Sequence, residues 1–172
     1  MYKVISRFLQ KFFKPATIYK YAFNWSPMYR RTTSKIVDVS EDLHYVKIRI
    51  KRSWKNKNYV GTIFGGSMLA ATDPIYMIQL LQILGDDYVV WDKAVDAKYK
   101  RPAKSTIYGV FHFDIAEIEK IKSTVAKEGE TNVLKTMHLE DQQKNIIATF
   151  KKTIYVADKT FYKQKVKKRK QS

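Results

Sequence analysis

The 172-residue sequence predicts an α+β domain in which a curved antiparallel sheet wraps around one long central helix. Three observations predict it. Residues 62–84 carry apolar side chains at helical spacing on nearly every face, so such a helix must be enclosed. Segments on either side of it alternate with the period of two that belongs to half-buried strands. Residues 140–145 form a polar run that reads as a turn between two of those strands.

Each element follows in order. Val4, Ile5, Phe8, Leu9 and Phe12 fall at helical spacing before Pro15, giving a short amphipathic helix with an aromatic face and a basic face. A first strand is expected around Ile36, Val37 and Val39. In the next, Val46, Ile48 and Ile50 face one way while Tyr45, Lys47, Arg49 and Lys51 face the other. After the long helix come strands at about 88–101 and 105–114, where Ile107, Gly109, Phe111 and Phe113 alternate. A second helix is expected at 115–127, followed by strands at 131–140 and 145–157, the latter with Ala148 and Phe150 alternating. No internal repeat is visible. The expected organisation is a basic amphipathic segment (1–33), one domain (34–157) and a basic tail (158–172).

A transmembrane reading of residues 62–84 fails on Asp73, which would cost about 2.5–3.5 kcal/mol at mid-membrane, and on Pro74, Gln79 and Gln82. An enclosed helix leaves one carboxylate at its centre. A buried acid must be paired or put to use.

Composition excludes other classes. With 45% hydrophobic and 14% aromatic residues the chain is not disordered. Cysteine is absent, which removes disulfides, thiolate zinc sites and a Cys nucleophile. His44, His112 and His138 lie far apart, without metal-ligand spacing, and read as ordinary sheet residues; no metal is expected.

Lys and Arg (33) exceed Asp and Glu (16) by 17, which points to polyanionic partners. No acid precedes Asp38, and residues 159–170 hold seven Lys or Arg without one, a run that reads as a solvated end. The apolar face of the basic start suits packing on the domain's own core or on a partner subunit, with peripheral contact with an anionic membrane as the alternative; nucleic acid is the weaker reading. Arg7, Lys11 and Lys14 interrupt any signal-peptide core, and Arg- and Ser-rich transit composition is lacking, so a cytoplasmic protein is expected.

One stretch carries a resemblance. Asn58, five residues, Phe64-Gly65-Gly66 and then Asp73 is similar to the signature of the hot-dog-fold thioesterase superfamily, in particular acyl-CoA thioesterases of the phenylacetate-pathway type. There the pattern is Asn, five residues, His-Gly-Gly, and an Asp nine positions after the His. Residues 97–103, ending in Arg101-Pro102-Ala103, resemble the strand after that superfamily's central helix, and the whole chain most resembles an uncharacterised bacterial branch. The resemblance covers residues 34–157. It implies a hot-dog fold, hydrolysis of an acyl-CoA or acyl-carrier-protein thioester, and a homodimer or homotetramer. It implies that Gly65 donates its N–H to the thioester carbonyl, that Asp73 is general base or nucleophile, and that Asn58 orients substrate or water. No cofactor is expected beyond the coenzyme A of the substrate. The departure is Phe64 in place of His, which removes a hydrogen-bonding group.

The chemistry makes sense independently of the family. Thioester hydrolysis needs a donor for the developing oxyanion and a carboxylate to activate water or attack carbon. Gly65 and Gly66 at a helix start offer unpaired N–H groups, and Asp73 offers the base. Close helix packing for the glycines, and a local cap before Pro74 for Asp73, remain open. Pro74 is expected to kink or break the helix. Ser67 reads as a helix-start residue without an activating partner. Phe64 and Ser67 are candidates for substrate contact, and Lys98, Lys100 and Arg101 for the phosphates of coenzyme A or a solvated strand face. Tyr99, Tyr108, Phe111 and Phe113 read as core. Gly66 and Asp73, seven residues apart, lie on one helix face but roughly 10 Å apart along it, which predicts a site shared between two chains. An acyl-binding protein that does not hydrolyse, and a membrane-surface or nucleic-acid binder, are the competing functions.

Overall fold

The apolar stretch forms one 20-residue helix, and the rest of the chain is arranged to cover it. The computed structural model describes residues 14–171. The amphipathic helix expected before Pro15 lies outside the described residues. In chain order the elements are α1 (Pro15–Trp25), α2 (Pro27–Arg31), β1 (Ser34–Val39), β2 (Tyr45–Ile50), α3 (Gly65–Leu84), β3 (Tyr88–Tyr99), β4 (Ile107–His112), α4 (Ile115–Glu128), β5 (Glu130–Glu140), β6 (Ile146–Asp158) and α5 (Lys159–Arg169). The strands form one antiparallel sheet in the order β1-β2-β4-β5-β6-β3. Met68, Ala71, Ile75, Tyr76 and Leu80 of α3 are buried in a core shared with Ile48, Phe111, Phe150 and Ile154. No helix among the described residues is long and apolar enough to cross a membrane.

The long helix starts three residues later than its periodicity suggests. Ile63 donates its N–H to the Ala103 carbonyl (2.9 Å) and Phe64 to that of Asn56 (2.8 Å), which holds both residues outside the helix. Pro74 does not end the helix, which runs on to Leu84 and stops at Gly85, where φ is +85°.

The two sheet edges are treated differently. On β1, the N–H and carbonyl of Ile36 are both bonded by the Asn24 side chain (2.8 Å each), so α1 closes that edge. Tyr19 and Tyr29 tie α1 and α2 to α3 through the Ile75 and Ala71 carbonyls (3.2 Å each). The 12-residue β3 forms the opposite edge and, among the described residues, pairs only with β6. In the middle, Gly109 lets β5 approach, since a Cβ there would lie 2.7 Å from Met137 Cε and 2.8 Å from Leu139 Cδ2.

The basic run read as a solvated end forms α5, capped by Asp158 and laid on the outer face of β3 and β6, with Lys159, Lys163, Lys167, Lys168, Arg169 and Lys170 exposed. Tyr162 meets the Trp91 ring edge-on (centroids 5.1 Å), and Lys165 and Tyr155 both hydrogen-bond Glu130, holding its carboxyl below the ordinary range. Gly129 admits the Phe161 ring: its φ is +82°, and a Cβ would stand 2.3 Å from Phe161 Cδ2. Gly129→Ala is therefore expected to cost about 2 kcal/mol, roughly 4–8 °C in Tm, and to expose residues 159–171 to protease. An unchanged melting curve and cleavage pattern would refute this docking.

Candidate functional site

The α3 start presents donors to an open groove. Ser67 and Met68 donate to the Phe64 carbonyl (3.0 and 3.3 Å), which leaves the N–H groups of Gly65 and Gly66 ahead of the helical ladder. Phe64 is extended (φ −60°, ψ 132°) and 57% exposed, with its ring against Gly66 where a Cβ would come within 2.3 Å of Cε1. Tyr99 of β3 donates its hydroxyl to the Gly65 carbonyl (3.1 Å), and its ring stands 3.1 Å from where a Cβ on Gly65 would lie, a close approach. Phe64, Gly66, Ser67, Ala70, Asp73 and Pro74 share one groove along α3, walled on the other side by Met28, Arg31 and Thr32.

Asp73 differs from its expected setting, because its side chain is 58% exposed to that groove. The buried charge is Lys152 of β6, 1% exposed, whose inward-facing neighbours on the strand are Ala148, Phe150, Ile154 and Val156. Its ammonium donates to the Asp73 carbonyl, to Asp73 Oδ1 (3.4 Å) and to Asp92 Oδ2 of β3 (2.8 Å). Sequence reasoning missed both Lys152 and Asp92. The signal was there, since a strand alternating Phe150, Lys152, Ile154 toward the core places a charge that must find partners.

Burial raises the Asp92 carboxyl above its ordinary range, against the opposing pull of the Lys152 hydrogen bond and charge; the Asp73 charge pushes the same way as burial. The folded protein therefore holds more protons at Asp92 than the unfolded chain between the ordinary and the raised value. That contribution to stability is complete below the ordinary value and is lost as pH rises through the raised one. Asp92→Asn is expected to flatten the fall in Tm as pH rises through this interval; parallel curves for both proteins would contradict it.

The other candidates are placed as follows. The Asn58 side chain turns into its own loop, bonding the Thr62 hydroxyl (3.0 Å) and accepting the Thr62 N–H (2.9 Å). Ser67 lines the groove, but its hydroxyl has no hydrogen-bond partner among the described residues. Lys98, Lys100 and Arg101 are exposed at the end of β3, the Arg101 guanidinium on the Ile146 carbonyl (3.0 Å). His44 and His138 are bound to Phe113 O (2.7 Å) and Thr149 Oγ1 (2.9 Å), and no group of three metal-binding side chains occurs among the described residues.

Comparison with known proteins adds the fold's relatives. A family model described as a domain of unknown function, DUF4442, matches residues 16–156. No curated protein matches the chain. Among solved structures, a Pseudomonas aeruginosa protein of unknown function, described as a probable thioesterase, superposes with a TM-score of 0.68 at 18% identity over 91% of this chain and 95% of that one. A thioesterase from Haemophilus influenzae gives 0.57 at 11% over 80% and 87%. A mutant of a thioesterase enzyme from Staphylococcus aureus gives 0.56 at 14% over 77% and 99%. The shared architecture, a six-stranded antiparallel sheet curved around a long central helix, is the hot-dog fold.

Proposed function

The chain belongs to the DUF4442 family, a domain of unknown function, and from its groove we propose that it hydrolyses an acyl thioester carried by coenzyme A or an acyl-carrier protein. One observation carries the reading: the exposed carboxylate of Asp73 and Gly66, at the N–H end of α3, line the same groove, with Gly65 next to Gly66. Gly65, helped by Gly66, donates to the thioester carbonyl as it becomes an oxyanion. Asp73 takes a proton from water, whose oxygen attacks the carbonyl carbon. The tetrahedral intermediate collapses with cleavage of the C–S bond, the leaving thiolate takes the proton held by Asp73, which restores the carboxylate, and the acid departs. Exposed Lys98 and Lys100 supply charge for the phosphates of a coenzyme A carrier.

The unbroken helix keeps Gly66 and Asp73 of one chain roughly 10 Å apart, too far to serve one carbonyl. Two further features support a site completed by a second chain. The β1 edge is closed by Asn24, whereas β3 pairs on one side only. Val95 and Tyr99 of β3 stand opposite buried Lys152 and Ala148 and so face the helix side, yet they are 41% and 50% exposed. A two-fold partner joined along β3 would cover them and bring its Asp73 to the first chain's glycines.

Phe64 favours a second reading, in which an acyl thioester is bound without turnover, because its ring packs on Gly66 beside the proposed oxyanion position. A panel of acyl-CoA and acyl-carrier esters decides between the two. Thiol release supports hydrolysis; saturable binding without thiol release supports the second reading; neither removes both.

A further inference from the structure

We propose that Lys152 is a positioning residue for Asp73: its ammonium holds the backbone carbonyl and Oδ1 of Asp73, Asp92 anchors that ammonium, and the second carboxylate oxygen is left facing the groove. The proposal rests on the reading of Asp73 as the base.

The burial of Lys152 is the starting point. An ammonium enclosed among Ala148, Phe150, Ile154 and Val156 is strongly unfavourable unless its donors are satisfied, and here the three donors have three acceptors. A purely structural role does not call for this arrangement. An apolar side chain of similar volume at the same inward position supports a core equally well or better, because it avoids desolvating charge. Asp92 shows the same priority, since its Oδ1 is buried without a hydrogen-bond partner among the described residues. The charge is thus retained at a cost, and its exposed outlet is Asp73.

The geometry gives each member a distinct task. Asp73 sits on α3 with its side chain half in solvent, where an untethered carboxylate samples several rotamers. Anchoring Oδ1 and the adjacent carbonyl to a rigid strand fixes the direction of Oδ2, which no described group bonds. Asp92 lies at the bulge in β3, where the register shifts between Asp92 and Ala94, and this brings its carboxylate beside Lys152. The nearby charges on the other packed elements are accounted for. Lys135, opposite Lys152 on β5, is paired with Glu117 of α4, and Arg31 after α2's first turn lines the groove without an ion pair to Asp73 among the described residues.

The test compares wild type, Lys152→Met, Lys152→Arg and Lys152→Met/Asp92→Asn with the best thioester substrate. Lys152→Met is expected to lower kcat about tenfold or more with KM within about twofold, because the carboxylate is no longer held in one direction while substrate contacts are untouched. Lys152→Arg, which keeps a cationic donor at the same place, is expected to recover most of the lost kcat with KM unchanged. The double variant removes both buried charges together, so it serves if Lys152→Met does not fold, and it is expected to show the same loss of kcat. A folded Lys152→Met or double variant with wild-type kcat overturns the proposal while leaving Asp73 as the base. If the wild type hydrolyses no thioester, the functional reading fails instead, and urea unfolding decides the contact: Asp73→Ala and Lys152→Met are expected to combine non-additively, and additive effects overturn it.

Discussion

Asp73→Asn is expected to reduce thioester turnover by about 100- to 10,000-fold with little change in Tm. Asn keeps the shape of Asp and an oxygen that still accepts from Lys152, so the anchoring contact survives while the base is lost. The corresponding rise in barrier is about 3–5.5 kcal/mol, far larger than the stability effect of a change at a half-exposed position. Single-turnover hydrolysis of the best substrate, alongside a melting curve, measures both quantities. A well-folded variant retaining more than about a tenth of the wild-type rate means that another group activates the water.

The second large effect is a recovery of activity from two inactive chains. Gly65→Pro removes the proposed oxyanion donor at the first helical position, where proline is tolerated. Phe64, at φ −60° and ψ 132°, already has the backbone that a following proline favours, so only the Tyr99 ring, 3.1 Å from the new Cβ, has to yield slightly. Asp73→Asn and Gly65→Pro chains, each inactive alone, are unfolded and refolded together in equal amounts. Random pairing makes about half of the dimers mixed, each with one intact site of two, so about a quarter of wild-type activity is expected. Mixed dimers isolated with two different tags and devoid of activity would place the whole site within one chain.

Much of the scaffold was legible because strand and helix periods are local. Val46, Ile48 and Ile50 mark one face of β2 whatever lies above them, and an all-round apolar run from Ile63 to Leu84 can only be a covered helix. The Gly65-Gly66 pair and Asp73 stood out through the family resemblance, and helix geometry added only their separation along one face; the exposure of Asp73 was not legible, because a run of apolar neighbours suggested a buried carboxylate.

What only the tertiary structure decided concerns partners distant in sequence. Lys152 meets Asp73 across 79 residues and Asp92 across 60, so the charge that steadies Asp73 shows in the sequence only as an inward lysine of unknown destination. The C-terminal basic run becomes a docked helix because Gly129, Glu130, Trp91 and Tyr155 converge beneath it, although its own residues have the composition of a solvated end. Asn24 closes one sheet edge and β3 leaves the other unpaired, a difference that no single strand's pattern contains. Alternation and amphipathicity state that a face is to be covered; which element covers it, and which opposite charge meets a buried one, is settled by long-range packing, where burial makes an unpaired group too costly to keep.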